Sequence, residues 1–245
     1  MATLPGLPEV RPGDDLGGML GLAAPSDLAD GDMLVVAHKV VSKAEGALRR
    51  LSKVVPGPRA RALAAEHGKD PRLVQVVLDE SEGILRAGHG VLIAETPHGL
   101  VCANAGVDQS NAQDPEEVVL LPRDPDASAR ALRGRIAEER GVRPAVLVSD
   151  SFGRPWRLGQ VDVAVGAAGI EPMEDWRGRL DAFGRELRVT TVAVADAAAA
   201  AADLARTKSS LEPAVMIRGL ERLVTSDDGP GAAALRRPRE LDLFR

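Results

Sequence analysis

The sequence predicts an α/β (α+β) protein built on a mixed sheet. Three observations carry this. Apolar runs of strand length alternate irregularly with capped helical segments. Two of those runs lie close enough to form a hairpin. No Pro/Gly/Ser-rich linker divides the chain. A hairpin needs antiparallel strands and helical crossovers favour parallel ones, so one sheet is expected to hold both pairings. The 245 residues are read as a single domain, 1–245, large enough to bury a core without disulfide staples.

The elements follow in order. Met33–Ala37 (MLVVA), after the Gly31-Asp32 turn, reads as a buried strand. Residues 58–68 read as a helix with Pro58 in its first turn. Asp70-Pro71 opens another, with Asp as N-cap, Pro at the first helical position, and Leu73, Val74, Val77 and Ser81 on one face. Val91–Glu95 and residues 100–103 form a hairpin across Thr96-Pro97-His98-Gly99, and a loop covers 104–111. Residues 118–121 form a short strand, and Asp124-Pro125 opens a helix that runs to Arg140 and stops at Gly141. Residues 145–149 form a strand that delivers Asp150, and 161–165 alternate as another. Residues 187–195 are the longest strand candidate, running into Asp196 as the cap of an alanine-rich helix. The last strand is 214–218, followed by the turn Asp227-Asp228-Gly229-Pro230.

Composition excludes several classes. Lys+Arg number 31 against 36 Asp+Glu, a formal charge of −5, whereas a general nucleic-acid binder carries a basic excess. The single cysteine, Cys102, excludes a disulfide framework and a Cys₄ or Cys₂His₂ zinc site, and fits a reducing compartment. No apolar run approaches the ~20 residues that cross a bilayer. The opening MATLPGLPEVRPGDD lacks the basic start and apolar core of a secretory signal, so the cytoplasm is expected. Walker A, G-x-G-x-x-G, G-x-S-x-G and H-E-x-x-H patterns are absent. His38, His67, His89 and His98 lack metal-ligand spacing and read as surface or loop residues.

Three apolar runs end in a carboxylate beside small residues: Asp108 with Asn111, Asp150 with Ser151, and Asp196. Hard oxygens at rigid strand ends suit Mg²⁺ or Mn²⁺, and those ions suit nucleotide phosphates. Each also has a structural alternative: Asp196 as a helix cap, Asp108 as a turn residue. Asp150-Ser151 is harder to place as a cap, because Gly153 and Pro155 block an immediate helix. A fourth segment, VVAHKVVSKAEG, presents Lys39, Ser42, Lys43 and Glu45, either as a phosphate-binding lysine cluster or as a solvated charged loop. Gly6-Leu7-Pro8-Glu9-Val10 reads as an extended, proline-stiffened piece. Together these segments point to a phosphate-and-divalent-metal site without a Walker motif. No single catalytic side chain stands out.

The same segments carry a resemblance. GLPEVRPGDDL, DGDMLVVAHKVVSKAEG, NAGVDQSN, SDSFGRPWRLGQVDVAVGAAG and VAVADAAAAAADL resemble the coenzyme F420:L-glutamate ligases, from Leu7 to about Phe244, in the stand-alone form without a nitroreductase-like extension. The resemblance implies an unusual mixed fold of intertwined subdomains assembled as a homodimer. It implies a GTP-dependent ligase that joins L-glutamate to the deazaflavin precursor through an acyl phosphate, γ-linked in later rounds. Two divalent cations (Mg²⁺ or Mn²⁺) and K⁺ would assist. Leu7, Pro8, Glu9 and Val10 match a stretch that contacts GTP, Lys43 a GTP-binding lysine, and Asn111 a GTP ligand. Asp108 and Asp150 match metal-binding aspartates, and Ser151 matches a threonine ligand. Two further positions depart from the pattern. His38 stands where many relatives have a serine that touches GTP, and Lys208 where archaeal-type members have a glutamine near the phosphates. The competing readings are a non-catalytic deazaflavin- or nucleotide-binding relative, and a metal-dependent phosphotransferase acting on another carboxylate. The presence of Lys43, Asp108, Asn111, Asp150 and Ser151 together favours the ligase, since a binder has no need of every phosphate and metal position.

Overall fold

A computed structural model describes residues 1–110, 114–207 and 209–243. Within them the chain runs β1 (Ala2–Thr3), α1 (Leu16–Ala23), β2 (Met33–Ala37), α2 (His38–Ala44), β3 (Leu48–Arg50), α3 (Pro58–His67), α4 (Pro71–Asp79), β4 (Gly83–Gly88), β5 (Val91–Glu95) and β6 (Val101–Ala103). It continues through β7 (Glu117–Val119), α5 (Pro125–Arg140), β8 (Ala145–Arg154), β9 (Arg157–Ala168), β10 (Met173–Asp175), β11 (Thr191–Ala193), α6 (Val194–Ala205) and β12 (Ala214–Ile217).

The largest sheet has the order β1-β12-β2-β8-β9. β2 and β8 are parallel, with Met33 opposite Ala145 and Ala37 opposite Ser149; the other neighbours are antiparallel. The expected mixed α/β sheet is therefore present. Both of its faces are covered, which explains why MLVVA is an unbroken apolar run rather than an alternating one. Leu34, Val36, Val146 and Val148 pack against Leu16 and Leu20 of α1 and Leu132 and Ile136 of α5. Met33, Val35, Ala145 and Leu147 pack against Ala195, Ala198, Ala199 and Ala202 of α6. A separate apolar cluster joins α3 and α4 to β5 and β7 through Ala60, Ala64, Val74, Val77, Leu92, Ala94 and Val118. The predicted hairpin is β5–β6, with Ala94 opposite Cys102, and β4 adds a third strand to it.

Five expectations need correcting. Residues 187–195 are not a long strand: β11 covers three residues and α6 starts at Val194. Val194 and Ala195 are buried against the sheet, and that packing overrides their β-leaning local sequence. Asp196 is accordingly not the N-cap of α6; it lies inside the first turn, and its Oδ1 accepts the Ala164 N–H at 2.9 Å. β8 does not end at Asp150 but pairs with β9 as far as Arg154. The segment after β2 is the helix α2, not a loop; no side chain caps it, so it is held by the burial of His38, Val41 and Ser42. α4 stops at Asp79, which leaves Ser81 beyond the helix.

Candidate active site

Because β2 and β8 are parallel neighbours, their C-terminal halves lead to the same side of the sheet. β2 passes directly into α2, which carries His38, Lys39 and Lys43, while β8 carries Asp150 and Ser151. The extended segment after Leu4, whose N–H bonds the Ala214 carbonyl, brings residues 7–10 alongside. The result is a cleft of about 380 Å³. Of the sequence-predicted site residues, Leu7, Pro8, Glu9, Val10, His38, Lys43, Asp150 and Ser151 all line it. Asp108 is not in the wall but is tied to it through Lys39, which lines the cleft. Asn111 and Lys208 lie outside the described residues.

Several charges at the cleft are paired. Lys43 Nζ is 2.6 Å from Glu9 Oε1. Lys39 Nζ lies 2.7 Å from Asp108 Oδ2 and donates to Ser110 Oγ at 2.5 Å. Burial works to raise the Asp108 carboxyl, but the Lys39 ammonium and the Ser110 N–H outweigh it and hold the group below its ordinary value. His38 is not the surface or loop histidine expected: it is buried at 1% exposure, with Nε2 3.2 Å from Asp150 Oδ1. The Asp150 carboxylate is further oriented by accepting the Ser151 N–H at 2.8 Å. The Cys102 thiol is pushed up to about 12 by burial, with the charge of Asp150 adding to the effect, so it is no nucleophile near neutral pH.

Asp162 and Arg206 are among the lining residues that were not singled out from the sequence. Asp162 on β9 is buried, and Arg206 follows α6. Asp162 accepts from Ser149 Oγ, Ser151 Oγ and the Arg206 guanidinium. Local pattern pointed away from Asp162: the alternating Val161, Val163 and Val165 read as the apolar face of the strand and leave Asp162 on the polar one, whereas the structure buries it beside Ala164. Nothing local marked Arg206.

Among the described residues no three His, Cys, Asp or Glu side chains form a group that could hold a metal ion. The oxygens that are present do suit one in kind. Asp150, Ser151 and Asp108 are hard donors of the class that Mg²⁺ and Mn²⁺ take. A hydroxyl that gives its proton to Asp162 turns lone pairs to its other neighbours. Chemically the set fits a divalent cation, with Lys39 meanwhile paired to Asp108 and His38 Nε2 lying beside Asp150.

A family model described as F420-0:Gamma-glutamyl ligase matches residues 6–219. A protein of Methanopyrus kandleri named coenzyme F420:L-glutamate ligase is 48% identical over 239 residues, covering 97% of this chain and 94% of its own. Proteins of the same name from Methanothermobacter thermautotrophicus and Methanocaldococcus jannaschii are 47% and 42% identical, covering 98% and 91% of this chain and 96% and 88% of their own lengths. With the family model spanning nearly the whole sheet and both walls of the cleft, the chain belongs to the F420-0:gamma-glutamyl ligase family.

Proposed function

We propose that this protein is a GTP-dependent ligase that adds L-glutamate to a deazaflavin coenzyme F420 precursor through an acyl phosphate, with γ-linkage in later rounds. The observation that carries the reading is the convergence of Lys43, Asp150, Ser151 and the 7–10 segment on one cleft. In the first step an oxygen of the precursor carboxylate attacks the γ-phosphorus of GTP, and GDP leaves. In the second the amine of glutamate attacks the acyl carbon, phosphate leaves with the C–O electron pair, and the nitrogen loses a proton. Lys43 lies at the cleft wall with its ammonium held by Glu9, placed to meet terminal phosphate oxygens as a point charge. Residues 7–10 form the wall on which the nucleotide would lie. Asp150, Ser151 and Asp108 would hold divalent cations, which when bound neutralise phosphate charge, with K⁺ assisting.

The same reading makes the chain one ligase domain, possessing intertwined subdomains, that works in the cytoplasm as a homodimer. Exposed apolar side chains support the dimer: Trp156 and Leu158 at the β8–β9 tip, and Phe183 and Val189 between β10 and β11. Light scattering on the purified protein checks it.

The deciding experiment incubates the protein with the deglutamylated precursor, L-glutamate, Mn²⁺ and either GTP or ATP, and reads product masses. A product heavier by one glutamyl residue with GTP is expected. Nucleotide cleavage without amide product would favour the phosphotransferase, and binding without turnover the non-catalytic relative. Asp150→Asn is expected to keep the fold and lower turnover by at least about a hundredfold, since an amide supplies no charge to a cation. Near-wild-type activity at ordinary Mn²⁺ would remove Asp150 from the site.

A further inference from the structure

Asp162 takes part in none of the steps above, yet it is a carboxylate enclosed in the cleft wall, at 2% exposure. One of its oxygens accepts from Ser149 Oγ at 2.8 Å and the other from Ser151 Oγ at 2.6 Å. Arg206, itself 9% exposed, donates to the first of these oxygens, to Ser149 Oγ at 2.9 Å and to the Pro213 carbonyl at 2.9 Å. A guanidinium has only donors, and a carboxylate paired with it has only acceptors. The direction of every hydrogen bond in the cluster follows: both serines give their protons to Asp162. Ser151 Oγ therefore accepts in each remaining contact it makes. A serine hydroxyl without such a partner rotates and can present either its proton or a lone pair.

We propose that Asp162 is a positioning residue that commits the Ser151 hydroxyl to face the cleft as an acceptor, with Arg206 as its counter-charge. An oxygen held in this way favours a cation beside Asp150 and disfavours direct donation to a phosphate oxygen. Arg206 balances the buried carboxylate, so the device leaves no unpaired charge in the wall. The proposal rests on the ligase reading, in that a divalent cation is taken to bind at Ser151.

The test is Asp162→Asn, whose amide N–H₂ must donate to a hydroxyl and so turns a serine proton outward. Mn²⁺ binding to the protein–GTP complex is read from the electron paramagnetic resonance signal of free Mn²⁺, alongside KM for glutamate and the melting curve. The dissociation constant for Mn²⁺ is expected to rise about tenfold, with KM for glutamate changed less than about twofold. In a Ser151→Ala background the same substitution is expected to shift Mn²⁺ binding less than about twofold, because the hydroxyl it acts through is gone. Unchanged Mn²⁺ binding in a folded Asp162→Asn protein overturns the proposal, as does an equal loss with and without the Ser151 hydroxyl. Should Asp162→Asn fail to fold, the double variant Asp162→Asn/Arg206→Gln replaces the ion pair by an amide pair and is read by the same criteria. Wild-type protein that binds neither Mn²⁺ nor GTP would refute the ligase reading and this role with it. Wild-type binding with an inert Asp162→Asn refutes the role alone.

Discussion

Lys43 and Asp196 show how differently two charged residues beside strand ends can be employed. Lys43 is held by Glu9 at the cleft wall, and its ammonium is the group proposed to meet terminal phosphates. Lys43→Ala is expected to weaken GTP binding by about tenfold and GMP binding far less, since a charge-assisted contact is worth ~1.5–3 kcal/mol. Calorimetric titration with both nucleotides checks this; an equal loss would place Lys43 away from the phosphates. Asp196 instead serves the edge of the sheet. Its carboxyl is raised above its ordinary value by burial, against the lowering effect of the Ala164 N–H. A raised carboxyl means that the native state holds its proton more firmly than the unfolded chain does. The stability it contributes is present below the unfolded pKa and is lost as pH rises through the folded one. Asp196→Asn keeps the acceptor oxygen and removes the titration. The variant is expected to gain on wild type as pH rises from 3 to 7 in urea denaturation, and a pH-independent difference would contradict the burial effect.

At the scale of elements, the chain is most legible where signals are local. α4 and α5 begin where Asp70 and Asp124 accept N–H bonds from Arg72 and Ala127, with Pro next in each, and α5 ends on Gly141 in the left-handed region. α1 went unread because LGGMLGLA is a poor helix by propensity. Gly17 is explained by its neighbour: a Cβ there would lie 2.6 Å from the Arg135 Cβ on α5. The same logic separates two substitutions. A Cβ on Gly166 of β9 would fall 2.2 Å from the Pro125 carbonyl oxygen at the start of α5, where backbone meets backbone. Gly166→Ala is expected to cost ~2–4 kcal/mol. Gly134, inside α5, has nothing within 4 Å of that position, so Gly134→Ala is expected to stabilise by ~0.5–1 kcal/mol. Urea midpoints of the two variants should move in opposite directions, and a common direction would contradict the packing.

At the scale of the molecule, the segment after β12 is fastened by two buried charges of α5. Arg133, 1% exposed, donates to the carbonyls of Pro144, Thr225 and Asp227 and pairs with Asp228. Asp126 accepts the N–H groups of Ala167, Ala232 and Ala233. Arg133→Met strands several buried carbonyls and is expected to cost ~3 kcal/mol or more. Hydrogen exchange should then rise first in residues 225–235; a uniform rise across the sheet would show that the clamp is part of the central core instead.

The sequence by itself determined the mixed α/β class, the capped helices, the β5–β6 hairpin and the family, because caps, turns and ordered motifs are written in neighbouring residues. It also named half of the cleft wall, from Leu7 through Lys43 to Asp150 and Ser151. Tertiary structure alone decided the rest. It made α2 a helix without a cap, moved the start of α6 to Val194, and buried His38 against Asp150. It also joined Asp162 on β9 to Arg206 beyond α6. Each of these depends on partners distant in the chain, whose burial and charge pairing outweigh the local preference of the residues involved.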